Sequence, residues 1–280
     1  MQLIDGKKIA ERIKDEVAHE VFELEEARPN LAIILVGERE DSKIYVSLKE
    51  KQAKSVGIDT HLYKCDADIK EEALLAMVDF LNEDEMIDAI LIQLPLPDGI
   101  DTDRVIARMK PEKDVDGFHP ENLKKLLSSC DYEIEPPLIG VILAILEDIN
   151  FSISDKKVVA LVNWKVLGDV VKHVLECRGA RVEIVHADDS DLKRKTQQAD
   201  VLIVAIGKEK FVTAEMLKQD AVVIDVGINQ CADGSICGDV NEADVSEKAG
   251  YLTPVPGGVG PLTIATAFKN TVYLCKKRKK

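Results

Sequence analysis

No apolar run in this 280-residue sequence approaches the roughly 18 to 20 residues that cross a bilayer, so no membrane partner is expected. No C-x-x-C pair occurs. Cys65, Cys130, Cys177, Cys231, Cys237 and Cys275 are scattered along the chain, a pattern that favours reduced thiols in a reducing compartment over a disulfide framework. Cys231 and Cys237 flank a turn, but no nearby histidine or second cysteine pair completes a ligand set, so no metal is expected. The opening residues, Met1-Gln2-Leu3-Ile4-Asp5-Gly6-Lys7, hold neither an apolar signal core nor an Arg-rich, acid-poor stretch, which gives a cytoplasmic expectation. Cations are short: 37 Lys and Arg stand against 51 Asp and Glu, for a net charge of −14. A surface that acidic repels phosphate backbones and excludes nucleic acid as an expected partner. The one basic cluster is Lys276-Lys277-Arg278-Lys279-Lys280. It reads as an anion or nuclear-import patch, or as a solvated helix end. The second reading is favoured because cations suit the negative end of a helix dipole.

What is present is a soluble-globular composition, 46% hydrophobic and 31% charged, long enough for two domains with cores of their own. Apolar strand-like runs alternate with helical patterns. Residues 8–28 predict a helix with Ile9, Ile13, Val17 and Val21 on one face. Residues 31–36 form a fully apolar run closed by Gly37, as a buried parallel strand does. Residues 42–56 predict a second helix, with Ser42 as N-cap and Gly57 as its stop. Strand 61–65, helix 70–83 and strand 89–93 follow. The second half repeats the rhythm: strand 157–162, helix 168–178, and strands 181–185, 200–205 and 221–225. This order predicts an α/β fold with parallel sheets. An apolar helix over 138–148 joins the halves. The polar stretch 131–137 is the expected hinge, because Pro136-Pro137 opposes helix there.

Ligands of open α/β sheets bind beyond the carboxyl ends of the strands, so the segments that follow each strand carry the candidates. Tyr45 and Lys49 are an i, i+4 pair on one helix face; the plain reading is an ordinary surface pair. Gln93-Leu-Pro-Leu-Pro97 is a rigid strand exit that holds Gln93 at the tip. Lys113-Asp-Val-Asp116-Gly117-Phe-His-Pro120 reads as a turn, with His119 packed or at the surface. Thr253-Pro-Val-Pro-Gly-Gly-Val-Gly-Pro-Leu-Thr263 is a stiff, compact loop whose backbone N–H groups are expected to be free to face an anion or a polar ring. Its plain reading is an ordered connector into the last helix.

Together these segments resemble the methylenetetrahydrofolate dehydrogenase/cyclohydrolase family. The matching pieces are Ile4-Asp-Gly-Lys7, Tyr45-x-x-x-Lys49-x-Lys51, Gln93-Leu-Pro-Leu-Pro97, Pro111-Glu-Lys-Asp-Val-Asp-Gly117, Asp225-Val-Gly-Ile-Asn229, Gly238-Asp-Val240 and Pro254-Val-Pro-Gly-Gly-Val-Gly-Pro-Leu-Thr263, in family order over nearly the whole chain. The resemblance implies two α/β domains with a cleft between them. Residues 1–119 are the folate-binding catalytic domain and 120–263 a Rossmann-like domain, with the helix over 264–280 packing back on the first. It implies Lys49 as the catalytic lysine, Gln93 as the glutamine that contacts and tunes it, and Asp116 as the aspartate that hydrogen-bonds the pterin. It also implies Tyr45 packing over the folate and Pro256, Gly257 and Gly258 lining the cleft. The implied substrate is a tetrahydrofolate derivative, the cofactor NADP or NAD, and the assembly a homodimer. The chemistry is consistent: a desolvated lysine beside the cationic methenyl centre has its pKa pushed down and can shuttle protons near neutral pH.

One region departs from the family pattern. Where Gly-Arg-Ser-x-x-Val-Gly-x-Pro opens the nucleotide site, this chain reads Val162-Asn-Trp-Lys-Val-Leu-Gly-Asp-Val170. Of the nucleotide-side positions Asn163, Trp164, Lys165, Gly168, Asp188 and Ile228, only Gly168 keeps a residue of that stretch. Asn163 and Trp164 replace the phosphate-binding pair, and Asp169 puts negative charge at a helix N-terminus. The usual His-Ser-x-Thr is His186-Ala-Asp-Asp189, and Pro-Cys-Thr-Pro-x-Gly is Glu135-Pro-Pro-Leu-Ile-Gly140. NADP binding is therefore expected to be weak or absent, with NAD the better candidate, since an acid there suits a free ribose 2′-hydroxyl. Three readings follow: a bifunctional dehydrogenase and cyclohydrolase, a cyclohydrolase alone on a decayed nucleotide domain, or a non-catalytic folate-binding or regulatory subunit. Lys49, Tyr45, Gln93 and Asp116 all being present argues against the third.

Overall fold

A computed structural model describes residues 1–25, 27–231 and 233–279. The chain opens with β1 (Gln2–Leu3), α1 (Gly6–Phe22), β2 (Asn30–Val36), α2 (Glu40–Ser55), β3 (Asp59–Cys65), α3 (Glu71–Glu83) and β4 (Ala89–Ile92). It continues through α4 (Thr102–Arg108), α5 (Pro120–Ser128), α6 (Pro137–Asp148), β5 (Lys157–Val162), α7 (Lys165–Glu176), β6 (Arg181–Val185) and α8 (Leu192–Thr196). It closes with β7 (Val201–Ala205), β8 (Ala221–Asp225), β9 (Asn229–Gln230), β10 (Ile236–Cys237), α9 (Glu242–Val245), β11 (Ala249–Leu252) and α10 (Val259–Arg278).

Two compact α/β units result. One holds Glu11–Lys125, Tyr132–Pro137 and Ile264–Lys280. Its parallel sheet has the order β3-β2-β4, and β2 is buried from Leu31 to Val36. Ala32, Ile34, Ile90 and Ile92 pack on Leu74, Val78, Leu81 and Val105. The period-3.6 apolar faces of α3 and α4 supply those last four residues. The end of α10 is fixed to this unit by charge. Arg278 donates to Asp88, whose side chain is fully buried, and Asp88 also accepts from the Asn30 N–H at 2.8 Å. Lys276 pairs with Glu20 at 2.7 Å and Lys277 with Glu133. The basic cluster is thus the exposed end of α10 at Lys277, Arg278 and Lys279, as the favoured reading has it, with Lys276, Lys277 and Arg278 each paired to a carboxylate. Lys280 lies outside the described residues.

The other unit holds Met1–Ala10, Leu126–Asp131 and Leu138–Thr263. Its parallel six-stranded sheet has the order β1-β11-β8-β7-β5-β6. The first residues belong here because β1 pairs with β11, Gln2 opposite Tyr251 and Leu3 opposite Leu252. Strand β5 leads to β6 on one side and lies beside β7 on the other, so the strand order reverses between β5 and β7. Ligands of such sheets sit at that reversal, beyond the carboxyl ends.

Several local expectations shift for identifiable reasons. The first helix ends at Phe22, not 28: the chain tightens through i→i+3 bonds from Leu24 to Val21 and from Glu25 to Phe22, with Glu25 at φ 55°, ahead of Pro29. Glu26, inside the expected span, lies outside the described residues. Helix α2 starts at Glu40 with Arg39 as N-cap, so Ser42 is a buried residue of its first turn and not the cap. Pro137 begins α6 because the first helical turn needs no N–H from it. Helix α7 starts at Lys165, earlier than expected, because only Asn163 and Trp164 separate it from β5. The thiols also differ from expectation: Cys130 is bonded to Cys177 and Cys231 to Cys237, while Cys65 and Cys275 are free and buried. The first pair lies 47 residues apart, so no spacing motif announces it; the fold brings the chain after α5 against the end of α7.

Candidate active site

In the three-stranded unit, Gln93 extends β4 by one rung, its N–H donating to Ile34 O at 2.9 Å. Its side chain is held at both ends. Nε2 donates to Leu94 O at 2.8 Å, and Oε1 accepts from Lys49 Nζ at 2.9 Å. Lys49 reaches this tip from α2, one turn after Tyr45 on the same face. Burial holds the Lys49 ammonium below the usual lysine range, and the carboxylate of Asp116 opposes that shift. Asp116 responds in mirror image: burial pushes its carboxyl up to about 6, the Lys49 charge pulls it down, and neighbouring Asp114 raises it further. Lys49, Gln93 and Asp116 therefore share one electrostatic environment.

The turn that presents Asp116 is built by a residue the motif reading passed over. The buried Asp114 carboxylate accepts from Gly117 N–H at 3.0 Å, His119 N–H at 2.7 Å and Asn122 Nδ2 at 3.0 Å. Gly117 has φ 72°, and a Cβ there would meet Ile134 and Pro136 at 3.3 Å, so the turn requires glycine. The Val115 N–H donates to Ile90 O at 3.4 Å, which lays the segment along β4. His119 is a packed residue. Its Nδ1 accepts from the Glu121 N–H at 3.1 Å, so the opposite nitrogen carries the proton toward Ala107 O. Lys113 is buried and donates to Leu81 O at 2.8 Å and Asp84 O at 2.7 Å, closing the end of α3. The Asp-x-x-Gly spacing from Asp114 to Gly117 is the signal that could have identified this carboxylate, because Asx side chains bond their own following backbone.

In the six-stranded unit, the nucleotide-side positions follow the carboxyl ends of β5, β6 and β8. Asn163 spans the reversal: its N–H donates to Ala205 O at 3.4 Å and its Nδ2 to Ile206 O at 2.6 Å. Lys165 is solvent-exposed and pairs with Asp169 at 2.5 Å across one turn of α7. A Cβ on Gly168 would stand 3.2 Å from Ile184 and Val162; glycine here lets α7 lie close on the sheet. Asp188 is exposed, whereas Asp189 is held by Lys195 at 2.8 Å. Trp164 and Ile228 are exposed.

Two buried carboxylates organise the loops on this edge. Asp225 accepts from the N–H groups of Gly227, Asp239 and Val240. Asp239 accepts from those of Ile206, Gly207 and Lys208 and from Asn229 Nδ2. Burial and the neighbouring Asp239 charge push the Asp225 carboxyl up to about 7 against those three N–H donors. Glycine is obligatory beside each: a Cβ on Gly238 would lie 1.9 Å from Asp225 Oδ2, and one on Gly227 2.2 Å from Asp239 Cγ. The segments Asp225-Val-Gly-Ile-Asn229 and Gly238-Asp-Val240 are thus one interlocked device. Asp225 accepts from the backbone of the second segment, and Asp239 bonds the Asn229 side chain and lies against Gly227 of the first, contacts that no spacing in the sequence announces.

The loop holding Pro256, Gly257 and Gly258 lies against the start of α1. A Cβ on Gly6 would be 1.9 Å from Gly258 O. Its backbone is less free than expected: Gly258 N–H donates to Pro254 O at 2.8 Å and Thr253 N–H to Val223 O at 3.1 Å. Gly257 adopts φ 109°, a conformation that favours glycine.

Comparison with known proteins bears on this geometry. Residues 4–116 match the family described as tetrahydrofolate dehydrogenase/cyclohydrolase, catalytic domain, and residues 138–279 match its NAD(P)-binding domain. The chain belongs to the tetrahydrofolate dehydrogenase/cyclohydrolase family. It is 42% identical to the bifunctional protein FolD of Thermodesulfovibrio yellowstonii, over 100% of this chain and 98% of that protein. It is 46% identical to the bifunctional protein FolD of Halothermothrix orenii, over 97% of this chain and 96% of that protein. Among solved structures of the family, FolD from Campylobacter jejuni superposes with a TM-score of 0.94 at 37% identity, covering 99% of both chains. The Trypanosoma brucei enzyme, described as a complex with NADP cofactor and inhibitor, superposes with a TM-score of 0.93 at 34% identity, over 99% of this chain and 98% of that one. The family's two-domain α/β architecture with a Rossmann-like second domain is therefore the fold of this chain.

Proposed function

We propose that the protein hydrolyses 5,10-methenyltetrahydrofolate with Lys49 as proton shuttle, Gln93 as its positioning residue and Asp116 as the anchor for the pterin. The observation that carries this reading is the Lys49 Nζ to Gln93 Oε1 hydrogen bond at 2.9 Å, with half-buried Asp116 electrostatically coupled to the same lysine. Burial raises the share of neutral amine at Lys49, and a cationic methenyl centre nearby lowers its pKa further. One N–H of the neutral amine is engaged by Gln93 Oε1, which leaves the lone pair and one further N–H for the reaction. The amine takes a proton from the water that adds at the one-carbon centre and returns one to the nitrogen that leaves when the C–N bond breaks, while the hydroxyl proton of the adduct passes to solvent as the formyl carbonyl forms. Such proton transfer contributes roughly 10²- to 10⁴-fold in rate. Asp116 ionises at about 6 and as a carboxylate accepts two pterin N–H bonds. Tyr45 packs over the folate.

The second half of the reading is oxidation of 5,10-methylenetetrahydrofolate with NAD in preference to NADP. The residues present fit a dinucleotide without a 2′-phosphate. Exposed Asp188 would accept from a ribose hydroxyl, Gly168 keeps α7 close to the sheet, and Asn163, Trp164 and Ile228 stand at the strand exits. The family's arginine position holds Asn163, and the nearby Lys165 is paired with Asp169. A bound nicotinamide supplies the hydride acceptor. Hydrolysis alone is the alternative, favoured by the Asn163 side chain bonding across the strand reversal at 2.6 Å. The same reading makes the protein a cytoplasmic homodimer; sedimentation at twice 30.9 kDa tests the assembly.

The experiment separates the halves. Purified protein is given methenyltetrahydrofolate, and the decay of its near-ultraviolet absorbance is followed. It is then given methylenetetrahydrofolate with NAD or NADP, and reduced nucleotide is measured. Decay together with NAD reduction is the expected result. Decay without reduction selects the alternative, and no decay removes the proposal.

A further inference from the structure

A side-chain cluster outside the folate and nucleotide positions carries a separate chemistry. The sulfur atoms of Cys130 and Cys177 and a ring nitrogen of His173 all lie within 4.8 Å of one another in the six-stranded unit. The two cysteine Cα atoms are 5.6 Å apart, within the span of about 4.4 to 6.8 Å that a disulfide bridges. Cys177 caps the C-terminal end of α7, and His173 lies one turn earlier. His173 Nε2 is 3.0 Å from Ser129 O and 3.6 Å from Cys177 Sγ. A ring nitrogen that faces a carbonyl carries the proton, so the group facing the Cys177 sulfur is an N–H donor, and a donor beside a sulfur favours its thiolate. Cys130 is exposed and Cys177 half-buried, whereas the free thiols Cys65 and Cys275 are buried. The accessible sulfur and the activated sulfur are therefore different atoms of one pair.

We propose that Cys130, Cys177 and His173 form a reversible thiol–disulfide exchange site that takes small-molecule disulfides. In the closing direction, Cys130 as thiolate attacks one sulfur of the small disulfide. A mixed disulfide forms on Cys130, and one small thiolate leaves and takes a proton from solvent. Cys177, beside the His173 N–H, loses its proton to solvent and attacks the Cys130 sulfur as thiolate. The mixed S–S bond breaks, and the second small thiol leaves with a proton. Two protein thiols are oxidised to one disulfide, and one small disulfide is reduced to two thiols. The new bond ties the chain after α5 to the end of the helix that begins at the nucleotide-side residue Lys165.

The full-length protein tests this in buffers of graded oxidised to reduced glutathione, with acid quenching, alkylation and peptide mass mapping, which separates this pair from Cys231–Cys237. A cross-linked Cys130–Cys177 peptide is expected that rises with oxidised glutathione, disappears with dithiothreitol and returns on reoxidation. Cys177→Ser should retain glutathione on Cys130. His173→Asn should slow closure by up to about tenfold at an unchanged final extent, because it lowers the thiolate fraction. Absence of the cross-link at every ratio in natively folded wild-type protein overturns the proposal without reference to any variant. An equal closure rate in His173→Asn overturns the histidine's part. If the reduced wild type retains one zinc per chain and Cys130→Ser loses it, the cluster is a metal site instead.

Discussion

Lys49 and Gln93 meet through one hydrogen bond of 2.9 Å, from Nζ to Oε1, and the second bond from Gln93 Nε2 to Leu94 O fixes which amide atom faces the lysine. The amide contributes an acceptor without a charge, so the lysine stays below its usual pKa range under the influence of burial. Gln93→Glu replaces that neutral acceptor by a carboxylate at the same distance. An opposite charge so close raises a lysine pKa, by about 1 unit or more. The alkaline-going limb of the pH–rate profile for methenyltetrahydrofolate hydrolysis should move up by that amount. An unmoved profile separates Gln93 from the lysine's titration.

Asp116 gives a prediction with the opposite sign of pH. Its carboxyl ionises at about 6, and the protonated form loses acceptor capacity for the pterin. The KM for folate should therefore rise as pH falls through about 6, with kcat changing less. Asp116→Asn should raise KM about tenfold or more, the size of a charge-assisted hydrogen bond lost, and should remove that inflection. Steady-state kinetics between pH 5 and pH 8 reads both effects.

Gly227 and Gly238 are set against buried carboxylates, so their smallest substitution has no room. Gly238→Ala puts a Cβ where Asp225 Oδ2 stands at 1.9 Å, and the backbone or the carboxylate must shift. Overpacking of this kind costs roughly 1–3 kcal/mol, before the loss of three N–H bonds to Asp225 is counted. Gly99→Ala is the control, because no atom lies within 4 Å of its Cβ position, although its φ of 91° is itself unfavourable to alanine. Denaturant unfolding should place Gly238→Ala well below Gly99→Ala.

The Arg278–Asp88 pair should matter more than its place near the chain end suggests. Asp88 is fully buried and Arg278 about one-third exposed. Arg278→Ala leaves a buried carboxylate with the Asn30 N–H but without its cation. About 2 kcal/mol of stability should be lost, less than for a fully buried pair because water reaches the arginine. Equal unfolding midpoints for wild type and Arg278→Ala would count against this assignment.

The fold class was legible because strands such as 31–36 and 157–162 are unbroken apolar runs, and burial on both faces demands that pattern. Element ends were less legible. Ser42 has the chemistry of an N-cap, but tertiary packing buries it inside α2. The candidate site residues Lys49, Gln93 and Asp116 come from motif resemblance, not from any local physical signal. What stayed hidden depends on contacts between distant segments: Asp225 with the backbone at 239 and 240, Asp239 with the backbone at 206–208, and Cys130 with Cys177. Periodicity and turn chemistry describe neighbours in sequence, and none of these partners are neighbours.

The central claim is that the Lys49 amine performs the proton transfers of hydrolysis. Lys49→Met keeps an unbranched apolar stem out to Cε, with sulfur in place of Cδ, and removes the titrating nitrogen. The decisive measurement is the near-ultraviolet decay of methenyltetrahydrofolate with this variant, alongside its affinity for folate. Loss of roughly 10²-fold or more in rate with folate binding retained is the predicted result. Hydrolysis at the wild-type rate contradicts the account.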